Sequence, residues 1–317
     1  MHVEMRPLGA RTGFHTFDRW RYNASVALAP PAADAVLGID LDGFLWARRA
    51  HRPRFVVSLK GVIADEMTHE RGVVRRLLGI QARWERANAR RADLVVAPSR
   101  YAAETAARLY GLAAVPRVVP EPIDLAGWRA RLAAAPRHAT RPPTVLAVAR
   151  MYPRKRLADL LEAARQLASR IPDLEVRIVG KGPDDESLLG LHARLGLGGR
   201  VRFLGDVSAR ELAVEYVNAD VFCLPTVQES FGIVFAEAMA AGLPVVACRA
   251  AAVPEVVDDG RTGVLVTPRR PDELAAAIEA LVHDADRRKE LGEAGMTRVE
   301  RFDVTRVAPA WLEVLQP

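Results

Sequence analysis

Glu229 and Glu237 stand eight residues apart in the segment PTVQESFGIVFAEAMAAGLP (225–244). A carboxylate accepts hydrogen bonds from two neighbouring hydroxyls, and bonds to a charged acceptor contribute roughly 1.5–3 kcal/mol. The segment reads as a strand end running into a helix, with Ser230 as the expected N-cap. Eight residues span about 12 Å of helix at 1.5 Å per residue. Between the carboxylates lies a helix start, where the N–H groups of Phe231, Gly232, Ile233 and Val234 are expected to face an anion. Gly232 lets a ligand approach the first turn closely. The chemistry on offer is a phosphate with a carboxylate on either side. For Glu229 alone, an acid that merely suits the helix macrodipole is an equal reading. Glu237, set among Phe235, Ala236, Ala238 and Met239, is harder to explain that way.

A second constellation is ARMYPRKR (149–156), where Arg150, Arg154, Arg156 and Lys155 fall within seven residues. The chain has 41 Arg and only 4 Lys, so Lys155 stands out. Planar guanidinium forks and a compact ammonium both suit a diphosphate. A solvated basic loop is the plainer alternative.

These residues need elements to place them. Apolar, β-branched runs at Thr144–Arg150, Glu175–Gly180, Val201–Gly205, Val221–Pro225, Pro244–Cys248 and Gly263–Thr267 read as strands. Amphipathic stretches at Leu157–Ser169, Asp184–Leu195, Ala209–Ala219 and Phe231–Ala241 alternate with them. Such alternation predicts a doubly wound α/β domain with a parallel sheet, and both constellations leave its carboxyl edge, where ligands bind. The first half repeats the pattern less completely, with strands at Asp34–Ile39, Arg54–Leu59 and Asp93–Pro98 and helices at Glu70–Arg91 and Arg100–Tyr110. Arg117–Pro143, with five prolines and Pro116 just before it, reads as an irregular interdomain connection. Val304–Gln316 reads as a short helix.

The second half resembles the donor-binding domain of glycosyltransferase family 4, the retaining GT-B enzymes that use nucleotide-sugars. The matching stretches are VARMYPRKRLADLLEA (148–163), RIVGKGPDDESL (177–188), the run from Val201 to Ala247, and GRTGVLVTP (260–268). The family's paired glutamates fall on Glu229 and Glu237. The resemblance implies that Arg150 and Lys155 contact the donor diphosphate and that Glu229 binds sugar hydroxyls. Gly232, Ile233 and Val234 would form the helix start that meets the phosphate or sugar. Glu237 would hold the ribose, and the base would meet the backbone near Gly205 and Val207. In the first half, VVPEPIDLAGW (118–128), RRADLVVAPSRYAAE (90–104) and RFVVSLKGVIADE (54–66) are similar to the family's linker and acceptor-side strands. Where the family carries a His that contacts the transferred sugar, this chain has Lys60, a candidate active-site residue. Lys donates to a hydroxyl or phosphate but is no near-neutral acid–base group without a large pKa shift.

The implied fold is α/β, GT-B: two Rossmann-like domains facing across a cleft. The expected domains are an abbreviated acceptor-side one, 1–140, with helix 302–317 packing back, and a donor-binding one, 141–301. The family's opening strand and Gly-rich turn have no counterpart. His2–Met5 reads as a late strand, Gly9 and Gly13 follow no strand, and the chain resembles a member lacking its first two βα units. The implied activity is retaining transfer from a UDP- or GDP-sugar to a lipid, glycan or small-molecule acceptor. A non-catalytic nucleotide-sugar-binding remnant, or an epimerase of the same architecture, is the alternative. The nucleotide-sugar is a co-substrate, and no cofactor or metal is expected.

Composition narrows the classes. The 317 residues are half hydrophobic and a quarter charged, as in soluble globular chains. No apolar run of about 18 residues predicts a membrane span, and no secretory signal is seen. Residues 1–143 carry 23 Lys and Arg against 13 Asp and Glu, net +10, whereas 144–317 carry 22 against 26, net −4. No nucleic-acid-binding motif accompanies the basic half, so nucleic acid is not an expected partner. On helix Glu70–Arg91, Val73, Leu77, Ile80, Trp84 and Ala87 form an apolar face expected to pack on the sheet. Its seven arginines are then a solvated face or one that meets anionic lipid. The expected location is cytoplasmic, with a peripheral seat on the inner face of the plasma membrane as the further option that the lipid reading opens. Asp40 and Asp42 form an Asp-x-Asp, which binds divalent metal in another glycosyltransferase fold, but here a polar turn is the simpler reading. Cys223 and Cys248 are expected to be core thiols.

Overall fold

The computed structural model of the chain describes residues 4–6, 12, 14–29 and 32–316. Gly9, Gly13 and part of the expected strand His2–Met5 lie outside them. The chain divides into two compact units, 1–119 with 309–317, and 120–308.

The first unit holds a four-stranded parallel sheet in the order β1 (Ala35–Ile39), β2 (Arg54–Ser58), β3 (Leu94–Ala97), β4 (Arg117–Val118). Phe55, Val57 and Leu59 are fully buried and meet Trp46, Ala103 and Tyr110 in its core. Ser99 caps helix Arg100–Tyr110 through the Ala102 N–H, and left-handed Gly111 closes it.

Helix Gly72–Ala89 corrects an expectation. It buries Gln81, Ala82, Glu85, Asn88 and Ala89. The face expected to pack is largely outside: Val73, Leu77 and Ile80 are 69%, 41% and 38% exposed. Only Trp84 of that face finds an aromatic partner, stacking on Phe44 with ring centroids 5.1 Å apart. The helix turns polar residues inward because two of them hold main chain: Asn88 donates to the carbonyls of Asp40 and Asp42, and Glu85 accepts the Ile63 N–H.

The second unit holds a six-stranded sheet, all of its pairs parallel, with β5 (Thr144–Val148), β6 (Glu175–Val179), β7 (Val201–Gly205), β8 (Val221–Leu224), β9 (Val245–Cys248) and β10 (Gly263–Val266) in the order β10-β9-β8-β5-β6-β7. The chain winds outward from β5 through β7, then returns to β8 and winds the other way. The β5/β8 junction is therefore the topological switch point, where open α/β sheets bind ligands. All four residues of β8 and of β9 are buried, Cys223 and Cys248 among them, and both thiols are free.

The connection Arg117–Pro143 is not irregular. It contributes β4 and helix Leu125–Ala134, whose N-cap Asp124 accepts the Gly127 N–H at 2.9 Å. The prolines bracket this helix instead of breaking it. Leu125, Trp128 and Leu132 join the second unit's core, so 120–140 group with the second unit and not with the first. Helices His15–Leu28, Pro271–His283 and Ala285–Arg298 complete what the sequence reading lacked. The last helix, Val304–Leu315, starts in the second unit, and its residues from Pro309 group with the first.

Candidate functional site

Two loops leave the carboxyl edge at the switch point. The first follows β5 and turns through a 3₁₀ step at Pro153–Lys155 into left-handed Arg156. Its backbone lies close against the end of β6. A Cβ on Gly180 would sit 2.1 Å from the Ala149 carbonyl oxygen, and one on Gly182 would sit 2.4 Å from that of Met151. Glycine is therefore required at both positions.

The second loop, 225–232, is stitched to the first. The Val227 N–H and Thr226 hydroxyl donate to the Arg154 carbonyl at 3.0 and 3.2 Å. Thr226, Gln228, Glu229 and Ser230 are all buried. The loop enters helix Ile233–Ala240 through Gly232 at φ +86, and a Cβ there would fall 2.6 Å from the Phe235 ring. The N-cap is thus Gly232 and not Ser230. The Ser230 hydroxyl caps nothing and is buried without a hydrogen-bond partner, and such groups in folded proteins call for an explanation.

The four cations of the first loop have separate roles. Lys155 forms an ion pair with Glu229, their side chains 13% and 11% exposed. Arg156 pairs with buried Asp159. Arg154 lies 4.3 Å over the Tyr152 ring, and exposed Arg150 lies 5.7 Å from the same ring. The structure thus joins Lys155, Glu229 and the helix start, with Arg150 on the same loop.

Glu237 lies just over one turn into the helix, half-buried. Its carboxylate accepts the Tyr216 hydroxyl at 3.0 Å. Burial pushes its pKa above the ordinary carboxylate range, and the Tyr216 bond opposes this. Trp128 meets Tyr216 edge-on at 5.3 Å and donates its indole N–H to the Glu237 carbonyl at 3.1 Å. The helix from the supposedly irregular segment therefore holds the main chain of Glu237. Gly205, at φ +68, ends β7 under the Lys181 side chain, and Val207 packs half-buried on the core.

The sequence reading missed Tyr216 and Lys181. Lys181 carried a signal as one of four lysines, inside GKGP. Tyr216 carried none, since a tyrosine on an apolar helix face is ordinary core. A groove of about 610 Å³ opens elsewhere on this unit, bordered by Pro142, Asp173, Glu175, Leu197 and Arg200. It flanks the start of β6, the edge opposite to the site.

Lys60 belongs to the first unit, exposed just beyond the end of β2. Its N–H donates to Asp40 Oδ1 at 2.6 Å, and its ammonium lies 5.7 Å from the Trp311 ring centroid. The two carboxylates of the Asp-x-Asp are used differently: Asp42 pairs with Arg19 at 2.9 Å, while Asp40 holds Lys60 main chain.

The profile of the family described as Glycosyl transferases group 1 matches residues 129–298, and that of Glycosyltransferase Family 4 matches 36–127. A GDP-mannose-dependent alpha-(1-6)-phosphatidylinositol monomannoside mannosyltransferase of Mycolicibacterium smegmatis is 33% identical over 266 residues, 78% of this chain and 66% of the relative. A phosphatidyl-myo-inositol mannosyltransferase of the same organism is 40% identical over 166 residues, 52% of this chain and 42% of the relative. The chain therefore spans less than two thirds of either relative. Among solved structures, Anabaena HepE in complex with UDP and glucose matches with a TM-score of 0.77 at 25% identity, covering 92% of this chain and 80% of HepE. Sucrose-phosphate synthase of Thermosynechococcus elongatus matches with a TM-score of 0.80 at 24% identity, over 96% and 79% of the two chains.

Proposed function

The chain belongs to the group 1 glycosyltransferases of family 4, with the two parallel-sheet units of the GT-B fold, and from that premise we propose that it moves a sugar from a nucleoside-diphospho-sugar to an acceptor hydroxyl with retention at the anomeric carbon. The observation that carries this reading is the Lys155–Glu229 ion pair at the start of a helix that also bears Glu237, at the switch point. Two charges held this far from water persist only when paired. A donor diphosphate draws on Lys155, Arg150 and the N–H groups of Ile233 and Val234, which have no carbonyl one turn earlier. Glu229, and the Ser230 hydroxyl beside it, meet the sugar. Glu237 meets the ribose.

The sequence offers no evident carboxylate nucleophile, and the family resemblance implies a front-face reaction assisted by the leaving group, which we adopt here. The bond from the anomeric carbon to phosphate oxygen breaks, and the bond to the acceptor oxygen forms on the same face. The acceptor proton passes to the departing phosphate. Charge growing on the diphosphate is met by preplaced cations and N–H groups. No step is routed through a metal, and the donor acts as co-substrate.

The mannosyltransferase relatives favour GDP-mannose and an inositol-containing lipid as substrates. An anionic membrane surface would then meet the first unit. Its exposed Val73, Leu77 and Ile80 favour this, as do the stacked, exposed Phe17 and Trp20 on helix His15–Leu28. The Gln81–Thr16 hydrogen bond joins the two helices. No helix among the described residues is long and apolar enough to cross a membrane.

Calorimetric titration of GDP and UDP into the protein, Glu237→Ala and Glu237→Gln tests the donor site. One nucleotide is expected to bind, at least about tenfold more weakly to Glu237→Ala, the loss of a charge-assisted bond. Glu237→Gln keeps an acceptor for Tyr216 and separates ribose contact from packing. A folded protein that binds neither nucleotide overturns the assignment.

A further inference from the structure

Three N–H groups in the loop that carries Lys60 are received by side chains from three other elements. The Lys60 N–H donates to Asp40 at the end of β1, at 2.6 Å. The Ile63 N–H donates to Glu85 on helix Gly72–Ala89, at 2.9 Å. The Ala64 N–H donates to the Tyr110 hydroxyl on helix Arg100–Tyr110, at 3.2 Å. Tyr110 in turn donates to the same Glu85 oxygen. Glu85 is 0% and Tyr110 1% exposed. The loop's own backbone is tied to the sheet at Leu59, which donates to the Val96 carbonyl.

Asp40 takes this role in an unfavourable conformation. Its φ is +54, a region L-residues avoid and one that persists only where the surroundings enforce it. They do: the Asp40 N–H donates to the Ser58 carbonyl, and the Asp40 carbonyl accepts from Asn88. Both peptide groups flanking the side chain are fixed, and the carboxylate is aimed at Lys60 main chain. A glycine would meet the backbone need without strain. The carboxylate is what the position gains from aspartate.

We propose that Asp40 and Glu85 are positioning residues that clasp the loop Leu59–Ala64 and set the direction in which Lys60 leaves the carboxyl edge of the first sheet, with Glu85 carrying a proton. This rests on the reading of Lys60 as an active-site residue. The geometry requires few charges in this space. Asp40, Asp42 and Glu66 are the neighbouring carboxylates and Arg19 the neighbouring cation. Glu85 Oε2 is occupied by two donors, while its Oε1 is buried with no partner. An ionised carboxylate left half-satisfied at full burial is strongly disfavoured, and a proton removes the charge that makes it so. Burial and the Asp40 charge push the Glu85 pKa well up, in agreement.

The test uses Asp40→Gly, which suits φ +54 and removes the carboxylate, and Asp40→Asn, which restores an acceptor. Hydrogen exchange at the Lys60 N–H is expected to be about tenfold faster or more in Asp40→Gly and near wild type in Asp40→Asn. Release of nucleoside diphosphate from GDP-mannose and UDP-glucose is expected to fall in kcat in Asp40→Gly with donor KM unchanged. The double variant Asp40→Gly/Lys60→Ala is expected to match Lys60→Ala alone, since Asp40 acts through Lys60. Glu85→Gln, an uncharged isostere, is expected to melt near wild type at pH 7. Unchanged exchange in Asp40→Gly overturns the clasp whatever the turnover does. So do additive losses in the double variant. A large drop in melting temperature for Glu85→Gln overturns the bound proton. Lys60→Ala with undiminished turnover sinks the Lys60 reading itself, and exchange still decides the clasp.

Discussion

Both units build a parallel sheet and hang candidate site loops from its carboxyl edge, but they secure those loops by opposite means. In the second unit, glycines let backbone lie on backbone: Gly180 against Ala149, Gly182 against Met151. The charges there, Lys155 and Glu229, are paired with each other and largely covered, so a ligand that reaches the loop competes with the pair for them. In the first unit the loop after β2 is held by buried side chains, Asp40, Glu85 and Tyr110, and the groups doing the holding are themselves titratable. Glycine contacts give a rigid cradle that pH does not touch. Buried carboxylates give a clasp whose strength follows the proton.

The largest effect should come from breaking the glycine side of this contrast. Gly180→Ala places a Cβ 2.1 Å from a carbonyl oxygen at φ +115, so both space and backbone conformation oppose it. A loss of roughly 3–5 kcal/mol is expected, which lowers the melting temperature by about 10 °C for units of this size. Gly199→Ala, with no heavy atom within 4 Å, is the matched control and should change little. Similar melting of the two variants would mean that the close approach after β5 is not what fixes the loop that carries Lys155.

Next comes the proton. Burial, reinforced by Glu66 and Asp42 and opposed by the Lys60 N–H and Arg19, pushes the Asp40 pKa up to about 6, from 3.8. The folded state therefore holds the proton more tightly than the unfolded chain. The stabilisation is fully present below about pH 4 and is lost as pH rises through 6. At 1.36 kcal/mol per pKa unit it amounts to on the order of 2–3 kcal/mol. Asp40→Asn cannot titrate, so its stability should fall less than wild type between pH 4 and 7. Urea melts at four pH values across that range would read the difference. Parallel curves would place Asp40 in a wetter site than the structure gives it.

The contrast also accounts for what the sequence disclosed. The second unit was legible because β-branched runs and amphipathic helices keep their periods there. Its motif needed only Glu229, Gly232 and Glu237 to be seen. The first unit misled because hydrophobic periodicity assumes that polar residues face water. Glu85 and Asn88 face inward to hold main chain, so helix Gly72–Ala89 is rotated away from the orientation its apolar residues predict. Helix Leu125–Ala134 was hidden for a different reason: its flanking prolines sit outside the hydrogen-bonded turns, where they do no harm. Neither Tyr216 behind Glu237 nor the clasp on Lys60 leaves a pattern, since each joins residues tens of positions apart.

That rotation has an outward consequence, and it gives the smallest expected effect. The stripe Val73, Leu77 and Ile80 is left uncovered beside Arg76 and Arg83 on a unit whose half of the chain is strongly basic. An apolar stripe bordered by arginines suits shallow insertion into an anionic bilayer, apolar side chains in the acyl boundary and guanidinium groups among headgroups. Flotation with vesicles of phosphatidylglycerol and phosphatidylcholine should recover the protein, less so at high salt. Leu77→Ser/Ile80→Ser should weaken recovery by about threefold to tenfold, since each side chain is already partly covered and has only part of its area left to bury. The melting temperature should not move, because neither residue is in the core. Equal flotation of the double variant and wild type would assign the membrane contact to charge alone, and no flotation of either would remove the lipid surface from the proposed function. A variant that binds vesicles normally but melts lower would instead mean that the stripe packs within the first unit.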